Sequence, residues 1–377
     1  MARRRIALKD ISVGHELPWD VYDDEGRLLL SKGHLIVTMN QVEGLIQRGI
    51  FADMDSSGYS ASEAPIIEEK PSAAFLVMEA RRRLELISPP QRPKENFIEQ
   101  VFRIRELIRE ACNAKKEVAL AAIMLEKTGR YSIRHSVDTA ITSHIVGTDI
   151  GMEEKELSSI IAAALTMNVS MLTFQDALQA YPKALTQEQR ENIQKHPTAS
   201  VDFLKQIGVT DKIWLDTVLD HHEAVDGSGY PNHKKGNDIS PAARLVALSD
   251  IFCARVSGRD YRSPLPSNAA LRGMFLNQSS VEEKTLMTKF IRALGVFPAG
   301  TPVRLENGEI AIVIRQGEKA NAPYVASVVG PRGAPLATVI FRDTTKPMYV
   351  IREVANWEDL GSSPSLQTLW GKDGTAF

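Results

Sequence analysis

From Lys116 to about Leu294 the chain repeats apolar residues at helical spacing, and that block dominates what the whole can fold into. Glu117 to Leu125 and Glu156 to Leu165 are rich in Ala, Leu, Ile and Glu. Ala, Leu and Glu lose little side-chain freedom in a helix. Thr186, followed by Glu188 and Gln189, has the form of a helix N-cap. Upstream, Phe97 to Ala114 carries Phe97, Ile98, Val101, Ile104, Leu107, Ile108 and Cys112 as one apolar stripe. That stripe either packs on the core or joins two copies in a homodimer. Phe75 to Ile87 reads as a short helix stopped by Pro89-Pro90. The expected class is mainly α, a helical bundle core with small β-rich units at both ends.

The flanks carry the β signals. Residues 1–55 form a small β-rich unit, with apolar runs at Ile6-Ala7-Leu8, Val13 to Leu17, Val21-Tyr22 and Leu28-Leu29-Leu30. The Asp23-Asp24-Glu25-Gly26 turn between two of them is a hairpin signal. Gln41 to Arg48 reads as a helix. Residues 56–95 are a linker and short helix, and 96–296 the helical domain. Residues 297–356 form a second β unit, in which Asn307-Gly308 turns one strand into the next. Residues 357–377, with Trp357 and Trp370, read as a loosely docked tail.

At 377 residues the chain has room for two or three domains. Its net charge of −2 gives no basic field for DNA or RNA. No apolar run reaches the roughly 18 residues of a bilayer span, and no signal-peptide core follows the start, so no membrane association is expected. Two cysteines far apart, Cys112 and Cys253, suit a reducing cytoplasm. Cys253 reads as a small buried hydrophobe.

The chemistry concentrates in His221-His222-Glu223-Ala224-Val225-Asp226-Gly227-Ser228-Gly229-Tyr230-Pro231. Adjacent imidazoles are strong metal donors. Gly227 and Gly229 permit positive φ, and Pro231 fixes its own. Three further segments stand out: Arg134-His135-Ser136-Val137, Lys195-His196-Pro197, and Arg244 to Phe252, which contains Asp250. Their separation means that only tertiary packing could join them, as ligands converge from facing helices in a bundle.

In order and spacing these segments resemble the HD-GYP family over roughly residues 120 to 265. These are metal-dependent phosphodiesterases of the HD superfamily that hydrolyse cyclic di-GMP. The resemblance implies that His196, His221 and His222 surround one metal, while His135 and Asp250 belong to a second position. It places Asp226, Gly227, Gly229, Tyr230 and Pro231, with Arg259 and Arg262 beyond, at a rim that meets substrate or partner. His15, His34, His144 and His233 match no motif and read as surface or partly buried.

One family motif is absent. Where members read approximately Ala-Ala-Leu-Leu-His-Asp-Ile-Gly-Lys, this chain reads Ala163-Ala164-Leu165-Thr166-Met167-Asn168-Val169-Ser170-Met171. By resemblance, the lost aspartate bridges two metal ions. Two divalent cations about 3.5–4 Å apart repel, and an anionic bridge makes that spacing tolerable. Asn168 is neutral, and the Met167 thioether is a poor ligand for Fe, Mn or Mg. Tyr131 stands where some members place a glutamate ligand, so no third metal is expected. The expected cofactor is at most one divalent ion (Fe, Mn or Zn), or none, with the five donors hydrogen-bonding one another.

Three functions remain open. The first is a bacterial cytoplasmic signalling protein that binds cyclic di-GMP, a related nucleotide or a diguanylate cyclase domain, with little or no hydrolysis. The second is an active phosphodiesterase with a reduced metal site. The third is a structural scaffold.

Overall fold

The computed structural model describes residues 70–89, 96–258, 264–278 and 280–376, together with 3–5, 11, 15–17, 19–23, 26–34, 36 and 51–53. The expected helix at Gln41 to Arg48, and Arg259 and Arg262, lie outside the described residues. The chain divides into a small unit, Met1–Lys70 with Phe377, and a large one, Pro71–Ala376.

In the small unit β1 (Arg3–Arg5), β2 (Val21–Tyr22), β3 (Leu28–Leu30) and β4 (Phe51–Asp53) form an antiparallel sheet in the order β1-β4-β2-β3. The expected hairpin pairs Val21 with Leu30. Asp23 closes it by accepting the Arg27 amide at 2.7 Å, and Gly26 turns at φ +84°.

The large unit is helical until residue 294. α1 (Ala73–Ile87) precedes α2 (Phe97–Leu125), which breaks at Lys115, where the backbone leaves helical angles. The rest are α3 (Tyr131–Asp149), α4 (Glu154–Thr166), α5 (Leu172–Gln179), α6 (Gln187–Gln206), α7 (Lys212–Asp220), α8 (Pro241–Ser257), α9 (Ser267–Leu276) and α10 (Val281–Leu294). Thr186 and Gln189 form the expected capping box on α6. The stripe on α2 faces inward: Phe97, Val101, Ile104 and Ile108 are buried in the one helical core. α1, expected as a short helix beside a linker, is an integral element of the helical unit. Ala74, Val77, Ala80 and Leu84 join that core, and buried Arg81 meets buried Asp138 of α3 at 2.7 Å.

α3 is buried nearly all round although half of it is polar. Two of its hydroxyls turn back on their own helix, Ser136 Oγ to Ser132 O at 3.1 Å and Thr142 Oγ1 to Asp138 O at 2.9 Å. That lets a polar helix run through the core. His144, expected at or near the surface, is buried on it.

A five-stranded antiparallel sheet follows: β5 (Pro302–Leu305), β6 (Ile310–Arg315), β7 (Tyr324–Val329), β8 (Pro335–Asp343) and β9 (Ile351–Val354), in the order β8-β7-β6-β5-β9. The Asn307-Gly308 turn is present, with Gly308 at φ +87° and Leu305 N–H donating to Glu309 O at 2.9 Å. Residues 357–376 are not a loose tail. Short α11 (Leu366–Trp370) buries Leu366 and Leu369, Leu360 packs under the sheet, and Trp370 Nε1 donates to Ile314 O at 3.2 Å. The apolar anchors are few and widely spaced, which is why the polar composition of the segment hides them.

Candidate metal centre

Four segments meet in one buried site. α6 supplies His196, the end of α7 supplies His221 and then His222, α3 supplies His135, and α8 supplies Asp250. Donor atoms of His196, His221 and His222 all lie within 4.8 Å of one another. His196 Nε2 and His221 Nε2 are 3.2 Å apart.

The orientation of two of these imidazoles, His196 and His221, follows from local backbone chemistry. Pro197 has no N–H, so the carbonyl of Ile193 lacks its helical donor. His196 Nδ1 fills that place at 2.5 Å. In the last turn of α7 carbonyls also run out of helical partners, and His221 Nδ1 donates to Val218 O at 2.8 Å. With both Nδ1 protons committed, both Nε2 atoms present lone pairs to each other. Burial is the main cause of the shifts: it pushes His196 down to about 3, His222 well below the usual imidazole value, and His221 down too. Neutral rings with opposed lone pairs repel, and a cation between them turns repulsion into coordination. The donor set therefore fits a divalent ion held by three imidazoles.

His135 and Asp250 form a separate pair. His135 Nε2 donates to Asp250 Oδ1 at 2.6 Å, and the Tyr131 ring stacks on His135 at 5.4 Å. Burial raises the Asp250 pKa, but the bond from His135 and the nearby imidazoles outweigh it and hold the carboxyl below its usual range. Met167 is fully buried and Asn168 is 2% exposed. Asn168 Oδ1 has no hydrogen-bond partner in the protein. The loop carrying both is tied to α6, because Ser170 Oγ donates to His196 O at 3.1 Å.

Residues 118–282 match the family model of the HD domain. A cyclic di-GMP phosphodiesterase of Pseudomonas aeruginosa is 25% identical over 197 residues, 52% of this chain and 47% of that protein. Cyclic di-GMP phosphodiesterase PdeB of Borreliella burgdorferi is 25% identical over 203 residues, 54% of this chain and 53% of that protein. Residues 118–282 of this chain are an HD domain, and the chain is similar to HD-GYP domain proteins. It spans about half the length of these two relatives. A solved HDG"Y"P protein from Bdellovibrio bacteriovorus aligns over 77% of this chain and 99% of its own, at 15% identity and a TM-score of 0.49.

The loop for which HD-GYP proteins are named lies against the three imidazoles. The Tyr230 ring stacks on His222 at 4.8 Å and meets His196 edge-on at 6.5 Å. Tyr230 N–H donates to His222 O at 3.1 Å. Gly229 is obligatory, since a Cβ there would sit 2.3 Å from Ala224 N and 2.5 Å from His222 O. Gly227 turns at φ +84°. The exposed Asp226 carboxylate accepts from Ser228 N–H at 2.9 Å and from Ser228 Oγ at 2.6 Å, a turn internal to the loop. Pro231 follows Tyr230 on the same segment. His15, His34 and His233 are exposed. Sequence reasoning missed what Pro197 does, although a proline directly after a histidine in a helical stretch is a readable signal. It also missed the loop anchors Asp220 and Lys234, joined at 2.6 Å. No described helix is long and apolar enough to cross a membrane.

Proposed function

We propose that this HD-domain protein is a bacterial, cytoplasmic signalling protein that binds cyclic di-GMP or a related cyclic dinucleotide and hydrolyses it little or not at all. The observation that carries this reading is the buried Met167-Asn168 pair where the family places its histidine and bridging aspartate. A single divalent ion on His196, His221 and His222 would supply Lewis acidity toward a phosphate oxygen. Around it, the protein's own groups do not complete a two-ion site. Asn168 carries no charge to offset a second cation, Met167 brings only a thioether, and His135 and Asp250 are committed to each other. The Tyr230 ring beside the imidazoles offers a face on which a base could stack. A diguanylate cyclase domain is the partner class suggested by the family's rim, and a homodimer is a further assembly to examine.

The test is calorimetry with cyclic di-GMP alongside chromatography of the same mixtures with excess Mn2+. Saturable binding that weakens in Tyr230→Ala, with no linear dinucleotide formed, is expected. Rapid appearance of linear product would establish the active-enzyme reading instead. No binding of the dinucleotide or of a cyclase domain would leave the scaffold.

A further inference from the structure

Glu223 is buried directly after the two histidines, and neither of its oxygens faces the imidazoles as a donor in their cluster. Its Oε1 accepts from Asn232 N–H at 2.6 Å, and its Oε2 from Lys234 N–H at 3.0 Å. Between those two amides sits His233 at φ +57°, the one non-glycine residue with positive φ among the described residues. Main-chain amides that converge around such a kink form a concavity for an anion. Here the anion belongs to the protein. A second carboxylate assists, since Lys234 Nζ donates to buried Asp220 Oδ2 at 2.6 Å. Both carboxylates flank His221 and His222 in sequence, so the segment that supplies two of the three imidazoles also grips the far end of the loop.

We propose that Glu223 is a positioning residue for the metal centre. By filling the concavity at 232–234 it holds the Tyr230 ring over His222, the most exposed of the three imidazoles, and so closes the outer side of the site against exchange. The inference rests on the reading that His196, His221 and His222 hold a metal. Glu223→Gln leaves one good acceptor for two amides and turns an N–H2 toward the other. Partners of this outer kind commonly change metal affinity about 10- to 100-fold.

The probe is Co2+ on the full chain, with its visible absorption followed after addition of a chelator. Hydrogen exchange of residues 224–236 is followed in parallel on metal-free protein. Glu309→Gln, in the C-terminal sheet, serves as a control for general destabilisation. Glu223→Gln is expected to release Co2+ at least about tenfold faster and to lose exchange protection at the Tyr230 amide, with Glu309→Gln like wild type in both. Release and protection unchanged in Glu223→Gln, or equally changed in Glu309→Gln, would overturn the proposal. Should wild type take up no Co2+, the metal reading fails on its own. The clamp is then judged by exchange, where a Tyr230 amide still protected in Glu223→Gln sinks it.

Discussion

At the scale of single residues, the site is organised by where backbone carbonyls lack donors. Pro197 frees Ile193 O, His196 Nδ1 takes it, and Nε2 is thereby aimed at His221. Pro197→Ala restores an N–H that competes for the same carbonyl. Metal affinity should fall about tenfold, as for other outer-shell changes. Thermal stability should hold or rise, because a helix-breaking residue is removed. Zn2+ titration beside a melting curve checks both signs, and unchanged affinity would refute the role given to Pro197. The histidines themselves were legible in the sequence, because two are adjacent and the Gly-Tyr-Pro loop follows at once. Their grouping with His196 was legible only through motif order. The proline's role was not, since it depends on which carbonyl a helix leaves unpaired.

Among elements, α1 is fixed to α3 by a charge pair that no periodicity reveals. Arg81 and Asp138 lie 57 residues apart and read singly as surface charges, yet both are buried and 2.7 Å apart. Arg81 also donates to Ala122 O at 3.3 Å and Glu126 O at 3.1 Å, serving the end of α2. Arg81→Met alone leaves Asp138 buried without its partner and should cost about 3–5 kcal/mol in urea unfolding. Adding Asp138→Leu should recover much of that loss. A single variant as stable as wild type would show the pair to be dispensable. The helices were readable because their apolar spacing is regular and a cap is explicit at Thr186. The segment 357–376 was not, because Leu360, Leu369 and Trp370 are isolated among Gly, Ser and charged residues. Removing residues 357–377 should uncover Ile312 and Ala326 beneath them and lower the melting temperature by several degrees or more, on the order expected for loss of a few buried side chains. An unchanged melting temperature would contradict the docking.

For the whole molecule, neutral buried imidazoles tie stability to pH. His196 sits at about 3 in the folded chain against an ordinary value of 6.5, and His221 and His222 are also shifted down. The unfolded chain therefore binds more protons as pH falls below 6.5. The stabilisation is fully present above that value and is lost progressively toward pH 3. In metal-free protein the urea midpoint should drop between pH 7 and pH 5, and less so in His196→Gln. A midpoint equally pH-sensitive in both would count against neutral burial of His196.

The central claim is that Met167 and Asn168 have removed the second metal position from an HD-GYP-like core. Metal per chain, measured by elemental analysis after incubation with excess Mn2+ and removal of loose ions, tests it most directly. At most one ion in wild type, rising to two in the Met167→His/Asn168→Asp double variant, is the predicted result. Two tightly held ions in the wild-type chain would contradict it.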